Sequence, residues 1–189
     1  MPNWCTTDYR IVGDTEQVTH LYNRMKRLQD MQEPLMPNGF GTTWLGNLVE
    51  DLGVDYNTVQ CRGSWDGLGF DGEILSFWTE TAWYRCTEVE DLLREKYPSI
   101  CICFKCEEPG MGIYEKNDET YFTEEYVIDY SAGDIWYLSE EEALRELSDE
   151  FGVDFANMDE ALIIVDEHND KDDNDDDQIY VHKFELIDS

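Results

Sequence analysis

Three cysteines in the segment 98–114, PSICICFKCEEPGMGIY, have a spacing that could bind a metal ion. Cys101, Cys103 and Cys106 form the pattern C-x-C-x2-C, and thiolates are good ligands for zinc. The apolar residues between them alternate with period two, which predicts a strand. On a strand Cys101 and Cys103 lie about 6 to 7 Å apart and Cys106 faces the other way. We therefore predict a strand and turn without a metal or cofactor, and six cysteines that are free and mostly buried thiols.

The glycine-rich segment 67–72, GLGFDG, matches the dinucleotide-binding pattern G-x-G-x-x-G. That pattern binds phosphate only where it leaves a strand and opens a helix, whose N-terminus then faces the anion. Here it runs into EILSFW, which has the composition of a strand. The sequence therefore argues against a nucleotide site.

The acidic segment DKDDND resembles the first half of a calcium-binding loop. It places Asp170, Asp172 and Asn174 at positions 1, 3 and 5, but Asp175 replaces the turn glycine and Val181 replaces the bidentate glutamate. These three residues are a weak calcium candidate, and a solvated loop is the alternative.

The charge of the chain is its strongest compositional signal. Its 189 residues include 44 acidic and 13 basic residues, which gives a net charge of −31. Such a field repels nucleic acid and anionic lipid and attracts basic proteins. Neither a long apolar run nor a signal-peptide pattern is present, which predicts a cytoplasmic protein without membrane association. Catalysis is disfavoured because His20, His168 and His182 lie in no recognisable nucleophile motif.

Hydrophobic periodicity predicts the elements of the N-terminal half. Residues 5–12 alternate as a strand, Asp14 caps a helix over about 15–31, and a short helix follows that ends at Gly53. Residues 61–72 are predicted to form a turn-rich loop or an irregular hairpin, and the strand EILSFWTE follows them.

Two capping boxes predict the next helices, one formed by Thr87 and Glu90 and the other by Ser139 and Glu142. Between these helices, SICICFKC, IYEKN and YFTEEYVIDY are predicted to be strands of one sheet. The segments ALIIVDE and QIYVHKFEL are predicted to form a hairpin around the acidic loop, although MDEALIIV could equally begin a helix. The fold class is α+β, a mainly antiparallel sheet with helices on one face. The expected domains are a core over 1–132 and an acidic C-terminal extension over 133–189, packed on the core.

Four short motifs, MPNWC, RGSWDG, TETAW and EPGMG, occur in this order over residues 1–116. In this respect the chain resembles the YubB-like family of phage- and plasmid-borne proteins. The resemblance implies a ferredoxin-like sandwich, a bacterial mobile-element origin and a family of unknown function. The chain departs from the family pattern at Tyr84 and Arg85, where relatives tend to have prolines.

Two hypotheses for the function follow. The first is a non-enzymatic acidic interaction protein that binds a basic protein partner, as a mimic of a polyanion. The second is a small enzyme or ligand-binding protein whose cleft is lined by the motif residues. The residues of that candidate cleft are Trp65, Asp66, Trp83, Glu108, Gly110 and Met111.

Overall fold

The computed structural model describes residues 3–131, 133–171 and 177–188. Within them the chain is α+β and forms two compact units, the first reaching to Tyr121 and the second comprising Phe122–Ile187. The division falls earlier than the predicted boundary at 132/133. The reason is that strand Tyr126–Tyr130 pairs with Ile135–Leu138 and Ile179–Lys183, and does not extend the sheet of the first unit as its sequence position suggested.

Five strands and three helices form the first unit. In chain order they are β1 Trp4–Gly13, α1 Thr15–Gln29, α2 Leu45–Asp51, β2 Gly63–Phe70, β3 Leu75–Ala82, α3 Thr87–Lys96, β4 Ile100–Glu108 and β5 Ile113–Lys116. The strands lie in the order β2-β3-β1-β4-β5, and each pairing among them is antiparallel. The predicted antiparallel sheet is therefore present.

The helices cover one face of this sheet. In β1 the side chains of Cys5, Thr7, Tyr9 and Ile11 are buried, while the side chains between them are half-buried. This period-two pattern arises because successive residues of a strand point to opposite faces. Helix α1 packs on this face through Val18, Leu21, Met25 and Leu28, and its N-cap is Asp14, as predicted.

The glycine-rich segment forms strand β2 and the turn that follows it. The pairing of β2 with β3 shifts between Asp66 and Gly69, which is a β-bulge, and Gly67 at the bulge has a φ of +64°. Of the two predicted alternatives, a turn-rich loop and an irregular hairpin, the segment therefore forms the irregular hairpin. It leads into strand β3, not into a helix, so it lacks the helix N-terminus on which phosphate binding depends.

The second unit has its own core. It contains β6 Tyr126–Tyr130, β7 Ile135–Leu138, α4 Glu140–Phe151, α5 Met158–Asn169, β8 Ile179–Lys183 and the two-residue strand β9 Glu185–Leu186. A three-stranded antiparallel sheet in the order β7-β6-β8 packs against both helices around Ile128, Ala143, Leu147 and Ala161. The capping box of Ser139 and Glu142 starts α4, as predicted.

Two predicted local features are wrong, one in each unit. Residues 161–167 form the middle of α5, so the hairpin prediction fails and the alternative helix is correct, since Ala161 and Val165 bury one helical stripe in the core. Thr87 and Glu90 form no capping box. Cys86 is the N-cap of α3 without a side-chain hydrogen bond, and Glu90 points into the interior.

The cysteines are free, with Cys101 exposed and the other five buried. Asp170 is exposed at the C-terminal end of α5, whereas Asp172 and Asn174 lie outside the described residues. In the described ranges, no group of three or more His, Cys, Asp or Glu side chains is arranged to hold a metal ion. No helix of the described part of the chain is both long and apolar enough to cross a bilayer.

Candidate functional site

The structure separates the six residues of the predicted cleft into two places. Trp65 is 1% exposed and lies on the helix-covered face of β2, opposite Thr79. Asp66, the next residue, is exposed and its Oδ1 accepts a hydrogen bond from the backbone N–H of Gly67. Because β3 and β1 lie between β2 and β4, neither side chain lies next to Glu108. Trp65 is therefore a core residue, and Asp66 forms a hydrogen bond within the β-bulge.

The other four residues lie together at one end of the sheet. The backbone N–H of Trp83 donates to the carbonyl oxygen of Asn3 at 2.8 Å. The side chain of Asn3 lies close to Gly110. A Cβ added to Gly110 would be 2.7 Å from Nδ2 of Asn3. We call Asn3, Trp83, Glu108, Gly110 and Met111 the sheet end. It brings together three segments that are distant in the sequence.

Trp83 has an unusual backbone conformation. Its φ of +74° is the only positive φ of a non-glycine residue in the described ranges. Positive φ is uncommon for bulky residues, and sparsely populated conformations of this kind cost about 1 to 3 kcal/mol and persist only where the surroundings enforce them. Its side chain is 48% exposed. The sheet end therefore holds a large aromatic ring at the surface by means of a strained backbone.

Glu108 is buried beneath the turn that follows β4. It is 3% exposed, and its Oε1 accepts a hydrogen bond from the backbone N–H of Gly110 at 3.1 Å. Its Oε2 is buried without a hydrogen-bond partner. The turn Pro109–Met111 is exposed and closes at Gly112, whose φ is +67°. A buried carboxylate with one unbonded oxygen is costly, and such groups are rare in folded proteins.

Of two buried cysteines that interact with each other, Cys5 and Cys106, Cys5 lies within the influence of this carboxylate. A hydrogen bond with Cys106 is the main cause that lowers the pKa of Cys5, while burial and the charge of Glu108 act in the opposite direction. The same hydrogen bond, together with burial, raises the pKa of Cys106. Both thiols are fully buried, so neither can attack a substrate from solvent.

A buried ionic network lies under the same face of the sheet, and sequence reasoning missed it. Tyr9 donates from its hydroxyl to Oε1 of Glu90 at 2.8 Å, and Arg85 pairs with Oε2 of Glu90. The Arg85 guanidinium lies 3.9 Å from the ring centroid of Phe104. Burial and the charge of Glu90 raise the pKa of Tyr9 well above its usual range. Sequence reasoning missed the role of Glu90 because the pattern Thr-x-x-Glu predicts an exposed capping residue at this position.

This network continues toward the edge of the sheet. Tyr84 accepts a hydrogen bond from Nε of Arg85 at 3.3 Å and donates its own proton to Glu115. Burial and the hydrogen bond to Glu115 raise the pKa of Tyr84 to about 12. Tyr84 and Arg85 thus hold a charged network in place.

An enclosed cavity of about 20 Å³ adjoins Glu90 between the sheet, α2 and α3. Thr79 lines it, and the hydroxyl of Thr79 has no hydrogen-bond partner. A space of this size holds about one water molecule. It is too small for a substrate, so the ionic network serves the stability of the core.

The second unit presents a strongly acidic surface. Phe122–Ile187 contains 22 acidic and 3 basic residues, so its net charge is 3 minus 22, or −19, out of −31 for the whole chain. On α5 the exposed residues include Asp159, Glu160, Asp166 and Glu167, and they surround Ile163, which is 58% exposed. Apolar side chains are also exposed on β7, at Ile135 and Trp136.

Comparisons with known proteins give no relative for this chain. No protein-family model, no curated protein and no solved structure matches it. The resemblance to the YubB-like family therefore stays a prediction.

Proposed function

We propose that the protein is a non-enzymatic acidic interaction protein whose second unit binds a basic segment of a partner protein. The observation that carries this proposal is the net charge of −19 on Phe122–Ile187. A compact body with so few basic residues attracts cationic surfaces over a Debye length and repels nucleic acid.

Helix α5 supports the more specific version, in which the surface imitates a polyanion. At 100° per residue, Asp159, Glu160, Asp166, Glu167 and Asp170 fall within an arc of about 120° on this helix. They are spread over about 16 Å of helix axis, or one carboxylate per about 4 Å, whereas one DNA strand carries one phosphate per about 3.4 Å. We call this set the α5 ridge. Its charge density is close to that of a nucleic-acid strand, which basic proteins bind.

Exposed apolar side chains provide the second component of such an interface. Ile163 lies near the middle of the arc of the α5 ridge and is largely exposed. Binding energy at interfaces concentrates in a few apolar or aromatic anchors that charged rims surround. The carboxylates would thus attract and orient the partner, and Ile163 would be buried by it.

The family expectations fit this proposal. Apart from the additional helix α2 between α1 and β2, the order β1-α1-β2-β3-α3-β4 and the sheet order β2-β3-β1-β4 support a ferredoxin-like assignment for the first unit. We infer a phage- or plasmid-related bacterial protein with a cytoplasmic basic partner.

Binding of fluorescein-labelled octa-arginine to the full chain, followed by fluorescence anisotropy, tests the proposal. D166N/E167Q removes two charges of the α5 ridge, and we expect a loss of about three- to tenfold in affinity. The matched control E33Q/E73Q removes two exposed charges from the first unit and should change the affinity by less than about twofold. Equal losses of affinity in the two variants would show that only net charge matters, and would refute a specific role of the α5 ridge in binding.

A second experiment tests for a natural partner. The tagged chain and its D166N/E167Q variant are used to capture proteins from bacterial lysate at low and at moderate salt. A basic protein that the wild type retains at moderate salt, and the variant does not, supports the proposal. Ile163→Ala should also weaken this retention, because apolar burial persists where salt screens the charges.

A further inference from the structure

The sheet end combines three features that core packing does not require. Trp83 has a strained backbone and an exposed ring, Met111 is exposed on the neighbouring turn, and Glu108 is buried with one unbonded oxygen. The strained backbone and the unbonded carboxylate oxygen each carry a cost in stability, and all three features lie within one small region of the first unit.

The conformation of Trp83 is held by bonds on both sides of it. Its N–H donates to Asn3, and the hydroxyl of Thr81 donates to the carbonyl oxygen of Tyr84 at 2.8 Å. These bonds fix the chain before and after residue 83, so the strain is imposed by the fold. Because the ring remains half-exposed, its burial offsets little of the backbone strain. The strained backbone instead holds the indole in contact with solvent.

Among the residues that the structure describes, Glu108 has no counter-charge. No ion pair involving it is present in the described part of the chain, and its bonded oxygen serves only to cap the turn at Gly110. A Cβ added to the exposed Gly110 would be 3.0 Å from Oε1 of Glu108 and 2.7 Å from Nδ2 of Asn3. The carboxylate of Glu108 therefore lies directly beneath the exposed turn Pro109–Met111.

We propose that the sheet end binds a guanidinium group, namely an arginine side chain of the basic partner. Cations bind best to the face of an indole, and a guanidinium donates charge-assisted hydrogen bonds to a carboxylate. Trp83 and Gly110 both lie against Asn3, the first at its carbonyl oxygen and the second at its side chain. Met111 provides a flexible apolar surface for the methylene stem of the arginine.

This inference rests on the proposed function for the source of the arginine, but its site is distinct from the α5 ridge. The ridge attracts any cationic chain by its charge. The sheet end selects a planar cation with an apolar stem. The two sites can therefore be tested separately on the same full-length protein.

The test uses N-acetyl-arginine amide as the probe and two-dimensional ¹⁵N–¹H NMR of the full chain as the readout. The indole N–H signal of Trp83 is identified by its loss in Trp83→Phe. We expect this signal and the amide signal of Gly110 to shift in a saturable manner. N-acetyl-citrulline amide, which has the same shape without the charge, should cause no shift.

Two variants define the roles of the residues. In Glu108→Gln a carbonyl oxygen still caps the turn but the charge is lost, so we expect the affinity for the arginine probe to fall about tenfold, as for a charge-assisted bond of about 1.4 kcal/mol. Met111→Ala changes an exposed side chain that the fold does not need, and it should weaken binding by about threefold. Trp4→Phe alters another exposed tryptophan and should leave the affinity unchanged.

Several results would overturn the inference. They are the absence of a shift at Trp83, equal shifts with the citrulline probe, or unchanged affinity in both Glu108→Gln and Met111→Ala. If octa-arginine binding still depends on the α5 ridge in that case, the sheet-end site alone is wrong. If the arginine probe shifts the Trp83 signal while D166N/E167Q leaves octa-arginine affinity unchanged, the proposed interaction surface is wrong. The sheet end then remains a cation site.

Discussion

The substitution Glu90→Gln should strongly destabilise the first unit. Glu90 receives a hydrogen bond from Tyr9 and an ion pair from Arg85, and the two charged side chains are 5% and 10% exposed. Glutamine keeps an acceptor for Tyr9 but removes the negative charge. The Arg85 guanidinium then stays buried without its carboxylate, beside the Phe104 ring and Tyr84.

The expected magnitude follows from the burial of both partners. Removing one member of a buried ion pair costs about 3 to 5 kcal/mol, because the remaining charge stays desolvated. The bond from Tyr84 and the contact with Phe104 compensate part of this cost. We therefore expect a loss of about 3 kcal/mol in the free energy of unfolding for Glu90→Gln.

The double variant R85M/E90Q provides the matched control. Methionine keeps an apolar, polarisable contact with Phe104, and neither charge of the Arg85–Glu90 pair is left in the interior. We expect the double variant to be about 2 kcal/mol more stable than Glu90→Gln alone. This gain would show that the unpaired charge, and not a packing defect, is the cause of the loss.

Urea unfolding followed by tryptophan fluorescence and by circular dichroism measures these values. Because the chain has two compact units, the two signals are compared for coincidence before a two-state free energy is used. A loss below about 1 kcal/mol for Glu90→Gln would refute the reasoning, since a buried pair cannot be broken so cheaply. A double variant no more stable than Glu90→Gln would also refute it.

Three further predictions concern local features of the fold. Ser139→Ala should lower the free energy of unfolding of the second unit by about 1 kcal/mol in urea titrations, because it removes the capping box with Glu142. Gly13→Ala should cost more than about 2 kcal/mol in the same assay, since the φ of Gly13 is +122° and a Cβ would be 2.3 Å from the carbonyl oxygen of Ser99. Burial raises the pKa of Cys86 to about 12 from 9.0, so the unfolded chain loses this proton first and stability falls as the pH rises above 9. Melting curves between pH 8 and 10.5 should show a shallower decline in Cys86→Ala, by up to about 1.4 kcal/mol per pH unit, and an unchanged decline would contradict the assignment.

Local patterns in the sequence were sufficient for most single elements. The alternation in residues 5–12, the cap at Asp14 and the capping box at Ser139 each depend on residues within one or two turns of the chain. The sequence also determined the acidic charge, which does not depend on the fold. These features could be predicted because their energy comes from neighbours along the chain.

The tertiary structure alone decided the features that depend on distant partners. The pattern Thr-x-x-Glu at residues 87–90 is as good a capping signal as Ser-x-x-Glu at 139–142, but Glu90 finds Tyr9 and Arg85 in the interior. A buried charge pair outweighs an exposed cap, and no local pattern reveals it.

Strand pairing and the sheet end also depend on residues that are distant in the sequence. Residues 126–130 form a strand from their own composition, but only the pairing with β7 and β8 placed it in the second unit. Likewise, the register of β1 with β3 and β4 brings Trp83, Asn3 and Gly110 side by side, while it leaves Trp65 in the core two strands away. The sequence determined which residue types could form a site. Hydrogen bonds between strands far apart in the chain determined which of them met, because sheet register is a non-local property.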